Sequence, residues 1–484
     1  MAAEVKSLNE ECGVFGVWGD PHAAVLTHLG LHTLQHRGQE GAGIVGLTDH
    51  GLHRHNGFGL VSEVFADPES LRQLAGTAAL GHVRYATAGG RILENIQPLL
   101  FRFSNESIAL AHNGNLTNAL SLRAKLEADG AIFQSTSDTE VLMHLIRRSH
   151  AAGFQAQLCE ALNQVHGGFA FALLTEHALY AASDPNGFRP LVVGQLPSGG
   201  YVICSETAGL NAVGADFIQD VQPGQLVVVD ELGLHVSQYT TDTQLAVCSM
   251  EYVYFARPDS EIHGVSVHQA RVRMGERLAK EQPAAGDIVV GVPNSSLSAA
   301  LGYARASGIP YEMGLIKSQY VARTFIQPTQ ALRERSVRMK LSPVRPVVAG
   351  KRVILVDDSL VRGTTAIQLV QLLKDAGAKA VHLRIASPPL RFPCFYGIDI
   401  QTTHELMAAN HSIAEMRDLL GADSLGFLST QGLEDSVGLQ TTAPNGGLCV
   451  AYFTGEYPTA LDDYEQTLEA ELAKLQINIP EVSA

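Results

Sequence analysis

Apolar and polar positions follow two different rhythms along the chain. Up to about residue 245, short apolar runs are separated by glycine-containing turns: "GVFGVWG", "GAGIVGLT", "SIALAHNG", "FAFALLT", "ALYAAS" and "LVVVDELG". Runs of this length, rich in β-branched and aromatic residues, predict strands. Helical periodicity interrupts them over Asp138–Arg148 and Gln155–Val165. Strands bunched in this way predict a layered α+β domain. Beyond residue 245 the pattern alternates. "DIVVGVP" is an aliphatic strand, "SLSAALGYARASG" a helix closed by Gly308, "RVILVDDS" a strand, "TTAIQLVQLLKDAG" a helix closed by Gly377, and "AVHLRIAS" a strand. Continuous aliphatic strands between glycine-capped helices predict a doubly wound parallel sheet. The changeover falls near "QLAVCSMEYVYFARPDS", and Ala460–Gln476 predicts a C-terminal helix.

Bulk properties narrow the class. The 484 residues exceed one ordinary core and suggest two to four domains. Hydrophobic residues make up 46% and mean hydropathy is +0.07, as expected of a well-packed globular protein. A net charge of −15 argues against a general nucleic-acid binder, which needs a basic face. Six scattered cysteines form no CxxC pair, no apolar run reaches membrane-spanning length, and "MAAEVKSLNEE" is not a secretory signal. A cytoplasmic protein without membrane or nucleic-acid partners is expected.

The strongest chemical signal is "VILVDDSLVRGTT", Val353–Thr365. An aliphatic strand delivers Asp357 and Asp358 to the carboxyl edge of the sheet, where open α/β folds bind ligands. The loop that follows, with Ser359, Gly363, Thr364 and Thr365, opens a helix and offers amides and hydroxyls to a phosphate. The two acids suit a diol or Mg²⁺. This unit resembles the phosphoribosyl diphosphate (PRPP) signature of type I phosphoribosyltransferases. That resemblance implies the acids on the ribose hydroxyls and the loop on the 5′-phosphate. A second loop, "GVPNSSLSAA", places Ser295 and Ser296 at a helix start, suited to pyrophosphate and its metal. Between the loops, Lys317 to Arg345 holds seven basic residues and one acid. Arg338 and Lys340 belong to this island, which suits a lid over a polyanion.

The first half supplies the nucleophile. "CGVFG" at Cys12, "LHTLQHRGQEGAG" at Leu31–Gly43, "GHVRYATAG" at Gly81–Gly89, "AHNGNLTN" at Ala111–Asn118 and "STSDTEVL" at Ser135–Leu142 occur in that order. Together they resemble the N-terminal-nucleophile (Ntn) glutamine amidotransferase domain, an αββα sandwich. Amide hydrolysis needs a nucleophile, a base and oxyanion donors. The resemblance implies the Cys12 thiol, its own α-amine as base, and Asn113 with Gly114 as donors. Arg84 suits the α-carboxylate of glutamine, Asp138 its α-ammonium, and Arg37 the shape of the pocket. The amine is free only if Met1–Glu11 is removed, so cleavage after Glu11 is expected.

A glutaminase joined to a PRPP-binding transferase is similar to the amidophosphoribosyltransferase family over essentially the whole chain, in its propeptide-containing type. The expected layout is a propeptide at 1–11, an Ntn domain at 12–245, a type I phosphoribosyltransferase domain at 246–459 and a C-terminal helix at 460–484. The resemblance implies glutamine and PRPP as substrates and 5-phosphoribosylamine as product, at the first step of de novo purine synthesis. It further implies Mg²⁺, an internal ammonia channel, purine nucleotides as feedback inhibitors and a homo-oligomer, usually a tetramer. Some members hold a [4Fe–4S] cluster on four cysteines. Cys248, Cys394 and Cys449 match three of those positions, and Tyr452 stands at the fourth. Two alternatives follow: a cluster completed by another ligand, or buried relic cysteines.

Overall fold

The computed structural model describes residues 12–85, 90–104, 106–318, 341–400 and 402–478, with the side chains of 476–478 left aside. Two antiparallel sheets stack face to face in the first half. One runs, in spatial order, Asp216–Asp220, Val192–Gln195, Tyr201–Cys204, Gly13–Trp18, Ala78–Arg84, Gly41–Thr48 and Gly51–Phe58. The other runs Gly233–Gln238, Gln225–Asp230, Leu179–Ser183, Gly167–Leu174, Ser107–Leu116 and Leu99–Arg102.

The apolar runs are continuous because both faces of these strands are covered. On Ser107–Leu116, Ala109 and Ala111 face the sister sheet, while Ile108 and Leu110 pack under helices. The small inward residues let the sheets approach closely. Helices Ala119–Ala128, Glu140–Arg148 and Phe154–Leu162 cover one outer face, and Ala23–Thr33 with Thr207–Val213 covers the other. The result is the αββα sandwich expected of the Ntn class. Both helices foreseen in this half begin within two residues of their expected starts. The first starts at Glu140 rather than Asp138, with Thr139 at its N-cap, and the carboxylate of Asp138 accepts the N–H of Thr139 at 2.9 Å just before it.

The second half is built on a four-stranded parallel sheet in the order Ile288–Gly291, Arg352–Asp357, Ala380–Ile385, Ser424–Phe427. Helices Val267–Glu281 and Leu297–Ser307 cover one face; Thr364–Asp375 and Ile413–Leu420 cover the other. Gly308 ends its helix at φ +70°, a conformation that favours glycine. The C-terminal helix spans Glu465–Asn478, after a short turn at Asp462–Tyr464. It straps the halves together: Thr117 donates to Asp462 at 2.8 Å on one side, and Thr403 N–H donates to Glu471 at 2.7 Å on the other. No helix among the described residues is long and apolar enough to cross a membrane.

Candidate active sites

Cys12 stands immediately before the central strand Gly13–Trp18 and is 8% exposed. Its thiol donates to the carbonyl of Tyr85 at 3.4 Å. Burial pushes the thiol up to about 11, against smaller opposing effects of the Tyr85 backbone and of Arg84; Asp138 and Glu40 also lie within electrostatic range. Residues from three other motifs of the sequence therefore converge on one sulfur.

Each neighbour is held by its own network. Arg84 lies against Glu40 at 3.3 Å and donates to the carbonyl of Gly90. Asp138 accepts the N–H groups of Leu116 at 3.0 Å and Thr139 at 2.9 Å. Burial opposes its ionisation, but His112 and these amides hold the carboxyl below its usual range. Asn113 is 1% exposed, and among the described residues neither its amide nitrogen nor its amide oxygen has a hydrogen-bond partner. A buried unpaired amide costs roughly 1–3 kcal/mol, so it marks a place where a ligand is to be bound. Gly114, at φ +143°, follows it; a Cβ there would stand 2.0 Å from the carbonyl oxygen of Gly168, so only glycine fits.

Sequence reasoning missed the residues that hold this constellation. The side chain of Gln97 accepts the N–H of His112 at 2.7 Å and donates to Thr139 at 3.0 Å. Thr139 also pairs with the His112 ring at 3.1 Å. One amide thus fixes the strand that carries Asn113 to the turn that carries Asp138. Arg37 is placed differently from expectation. Its stem lies beneath Gly13, next to the nucleophile, but its guanidinium is buried against Glu206 and Glu251. Its charge is therefore already paired with two carboxylates.

In the second half the two phosphate-type loops meet. Ser296 donates to Asp357 at 2.9 Å and to Asp358 at 3.2 Å, Ser295 donates to Asp358, and Ser359 donates to Asp358 at 2.7 Å. Burial and the like charge of Asp358 push Asp357 up to about 8, and Asp358 is raised as well, first by burial. Two carboxyls this close cannot both ionise without a counter-charge. The donor set, two carboxylates with hydroxyls alongside, fits a Mg²⁺ ion that keeps most of its other ligands from substrate and water. A cavity of about 230 Å³ opens in front of them, lined by Asp357, Ser359, Gly363, Thr364 and Thr365. Gly363 caps the helix Thr364–Asp375 at φ +76°. Lys317 pairs with Leu341, and both border this cavity. The island between them, with Arg338 and Lys340, lies outside the described residues, as do Met1–Glu11 and Ala86–Gly89 of the glutaminase motifs.

Comparison with known proteins agrees with the two-domain reading. A glutamine amidotransferase domain model matches residues 82–212, and a phosphoribosyl transferase domain model matches residues 267–386. Amidophosphoribosyltransferase of Staphylococcus aureus (strain MRSA252) is 56% identical over 469 residues, 97% of this chain and 95% of that one. The chain belongs to the amidophosphoribosyltransferase family. The Bacillus subtilis (strain 168) amidophosphoribosyltransferase is 53% identical over 97% of this chain and 98% of its own. A solved structure of the allosteric regulatory enzyme of purine biosynthesis superposes with a TM-score of 0.89 at 53% identity, covering 93% of this chain and 97% of that one. The B. subtilis glutamine PRPP amidotransferase complexed with ADP and GMP gives 0.88 at 51% identity, covering 94% and 100%. The protein is thus a glutamine-dependent glycosyltransferase of the first step of purine biosynthesis, with a glutaminase domain followed by a phosphoribosyltransferase domain.

The family resemblance also raised an iron–sulfur cluster. Cys248, Cys394, Cys449 and Tyr452 share one buried apolar cluster. A cubane takes four thiolates, and position 452 offers a phenol whose hydrogen bonds are already made. The residues do not fit the cluster.

Proposed function

We propose that removal of residues 1–11 makes Cys12 the first residue, and that its α-amine then serves as base. A thiol pushed up to about 11 does not ionise by itself near neutrality. An α-amine, with a reference pKa of ~7.7–8.0, accepts its proton as sulfur attacks the side-chain carbonyl of glutamine. The carbonyl oxygen becomes an oxyanion held by the Asn113 amide and the Gly114 N–H. Ammonia leaves with the proton, and water then releases glutamate from the thioester. Arg84 takes the α-carboxylate and Asp138, held ionised, the α-ammonium. Arg37 acts on this pocket as a positioning group. The observation that carries this reading is the buried, unpartnered amide of Asn113, next along the strand to His112, which faces Asp138, itself within electrostatic range of the Cys12 sulfur.

In the transferase site, ammonia attacks C1 of PRPP as the bond to pyrophosphate breaks. Asp357 and Asp358 accept the ribose hydroxyls, and Ser359, Gly363, Thr364 and Thr365 hold the 5′-phosphate at a helix start. Bound Mg²⁺ would supply charge neutralisation for the departing pyrophosphate; Ser295, Ser296, Asp357 and Asp358 would hold it. Arg338 and Lys340 are assigned to PRPP as members of the basic island that suits a polyanion. The proposed layout is Ntn domain 12–245, transferase domain 246–459 and C-terminal strap 460–484. Purine nucleotides are proposed as feedback inhibitors, supported by the ADP- and GMP-bound relative. A homo-oligomer, tetrameric by resemblance, in the cytoplasm completes the reading.

The test mixes the protein with glutamine, PRPP and Mg²⁺ and follows glutamate and pyrophosphate, with mass spectrometry of the N-terminus. Stoichiometric release by a chain that begins at Cys12 is expected. Full activity in a chain that retains Met1–Glu11 would overturn the base assignment.

A further inference from the structure

Tyr452 lies at the centre of a closed hydrogen-bond hub. The strand Val247–Cys248 pairs in parallel with Leu448–Cys449, so Cys248 stands opposite Cys449. Tyr452 follows on the short helix Ala451–Thr454 and is 1% exposed. Its phenolic oxygen accepts the N–H of Met250 at 2.9 Å and lies 2.6 Å from the Ser249 hydroxyl. Ser249 spends its own proton on the carbonyl of Cys449 at 2.9 Å. The Tyr452 hydroxyl is therefore the donor to Ser249. The Cys248 sulfur, 3.6 Å away, is placed to donate to the remaining lone pair. A phenol offers one donor and two acceptor sites, and all three are used.

Cys394 accepts the N–H of Tyr396 at 3.4 Å. Among the described residues no group of three or more His, Cys, Asp or Glu side chains is arranged to hold a metal ion. The hub also sits at a mechanical junction. Met250 is the N-cap of the Glu251–Phe255 helix, which carries Glu251 to Arg37 and Tyr254 to the PRPP cavity. A connection at this point fixes where that helix starts.

We propose that Tyr452 closes this site to iron and replaces a metal cluster with a redox-inert tie, joining the Cys248–Met250 turn to the Cys449–Tyr452 turn. The tie is made of neutral hydrogen bonds in a dry core, where each is stronger than at the surface. It needs no iron, no sulfide and no protection from dioxygen. The enzyme of this chain should then keep its activity in air.

The experiment expresses the full chain with excess iron, purifies it under argon and measures iron and acid-labile sulfide. The parent should carry neither in stoichiometric amount and show no visible charge-transfer absorbance. Roughly four iron and four sulfide per chain would overturn the proposal. Tyr452→Cys restores the CxxC spacing with Cys449. Reconstituted with ferrous iron and sulfide beside the parent, it should gain the absorbance while the parent stays colourless; equal uptake by both would overturn the proposal. Tyr452→Phe removes only the hydroxyl and should melt a few degrees below the parent. An unchanged Tm would show that the hydroxyl ties nothing.

Discussion

Arg37 reaches across the seam between the two halves to Glu251, donating at 3.2 and 2.5 Å, while also donating to Glu206 on its own side. All three side chains are fully buried. Burial opposes the charge on Glu206, but Arg37 and His36 hold its carboxyl well below the usual range. Removing one partner of a buried pair leaves an uncompensated charge. Arg37→Ala should therefore lower stability by about 3–5 kcal/mol, read as a reduced Tm. Arg37→Lys keeps the charge but not the fork that spans two carboxylates, and should fall between the two. A parent-like Tm for Arg37→Ala would contradict the pairing.

Asn113→Ala should lower glutamine-dependent kcat by about 10²–10³, the usual loss for one oxyanion donor. KM for glutamine should change little, because the donor acts on the charge that develops during reaction. Ammonia-dependent synthesis should be untouched, since the transferase site has its own residues. Parallel steady-state assays with glutamine and with ammonium chloride separate these outcomes.

Asp357 makes the chain's stability depend on pH. An unfolded carboxyl ionises near 3.8, whereas the native one keeps its proton up to about 8, because of burial and the charge of Asp358. Between those values the native state binds more protons than the unfolded state, so stability is full at the acid end and falls as pH rises through the window. Without ligand, Tm should decline from about pH 5 to about pH 8, and Asp357→Asn should flatten that slope. Binding of PRPP with Mg²⁺, which needs the ionised pair, should strengthen over the same range. Scanning calorimetry across the pH series, with and without PRPP and Mg²⁺, measures both trends.

Much of this was legible in the sequence, for a physical reason. Strands covered on both faces leave continuous apolar runs, as in "FAFALLT", and a sheet edge that binds phosphate needs its acids, hydroxyls and glycine within one loop. Such features are local and can be read locally. Arg37 was not legible in the same way. Glu206 and Glu251 lie 169 and 214 residues further along the chain, so no nearby pattern announces that its charge is already committed. Gln97 was missed for the same cause: its partners His112 and Thr139 belong to other segments, and a lone glutamine before a proline carries no chemical signature. The substitution at Tyr452 was visible as a missing cysteine, but only the folded chain shows which hydrogen bonds the phenol makes.

Cys12→Ala tests the central claim most directly, that one chain houses two separable chemistries. The variant should consume PRPP with ammonium chloride at a rate near that of the parent, and should release no glutamate from glutamine. Loss of both reactions together would contradict the division of labour between Cys12 and the Asp357–Asp358 site.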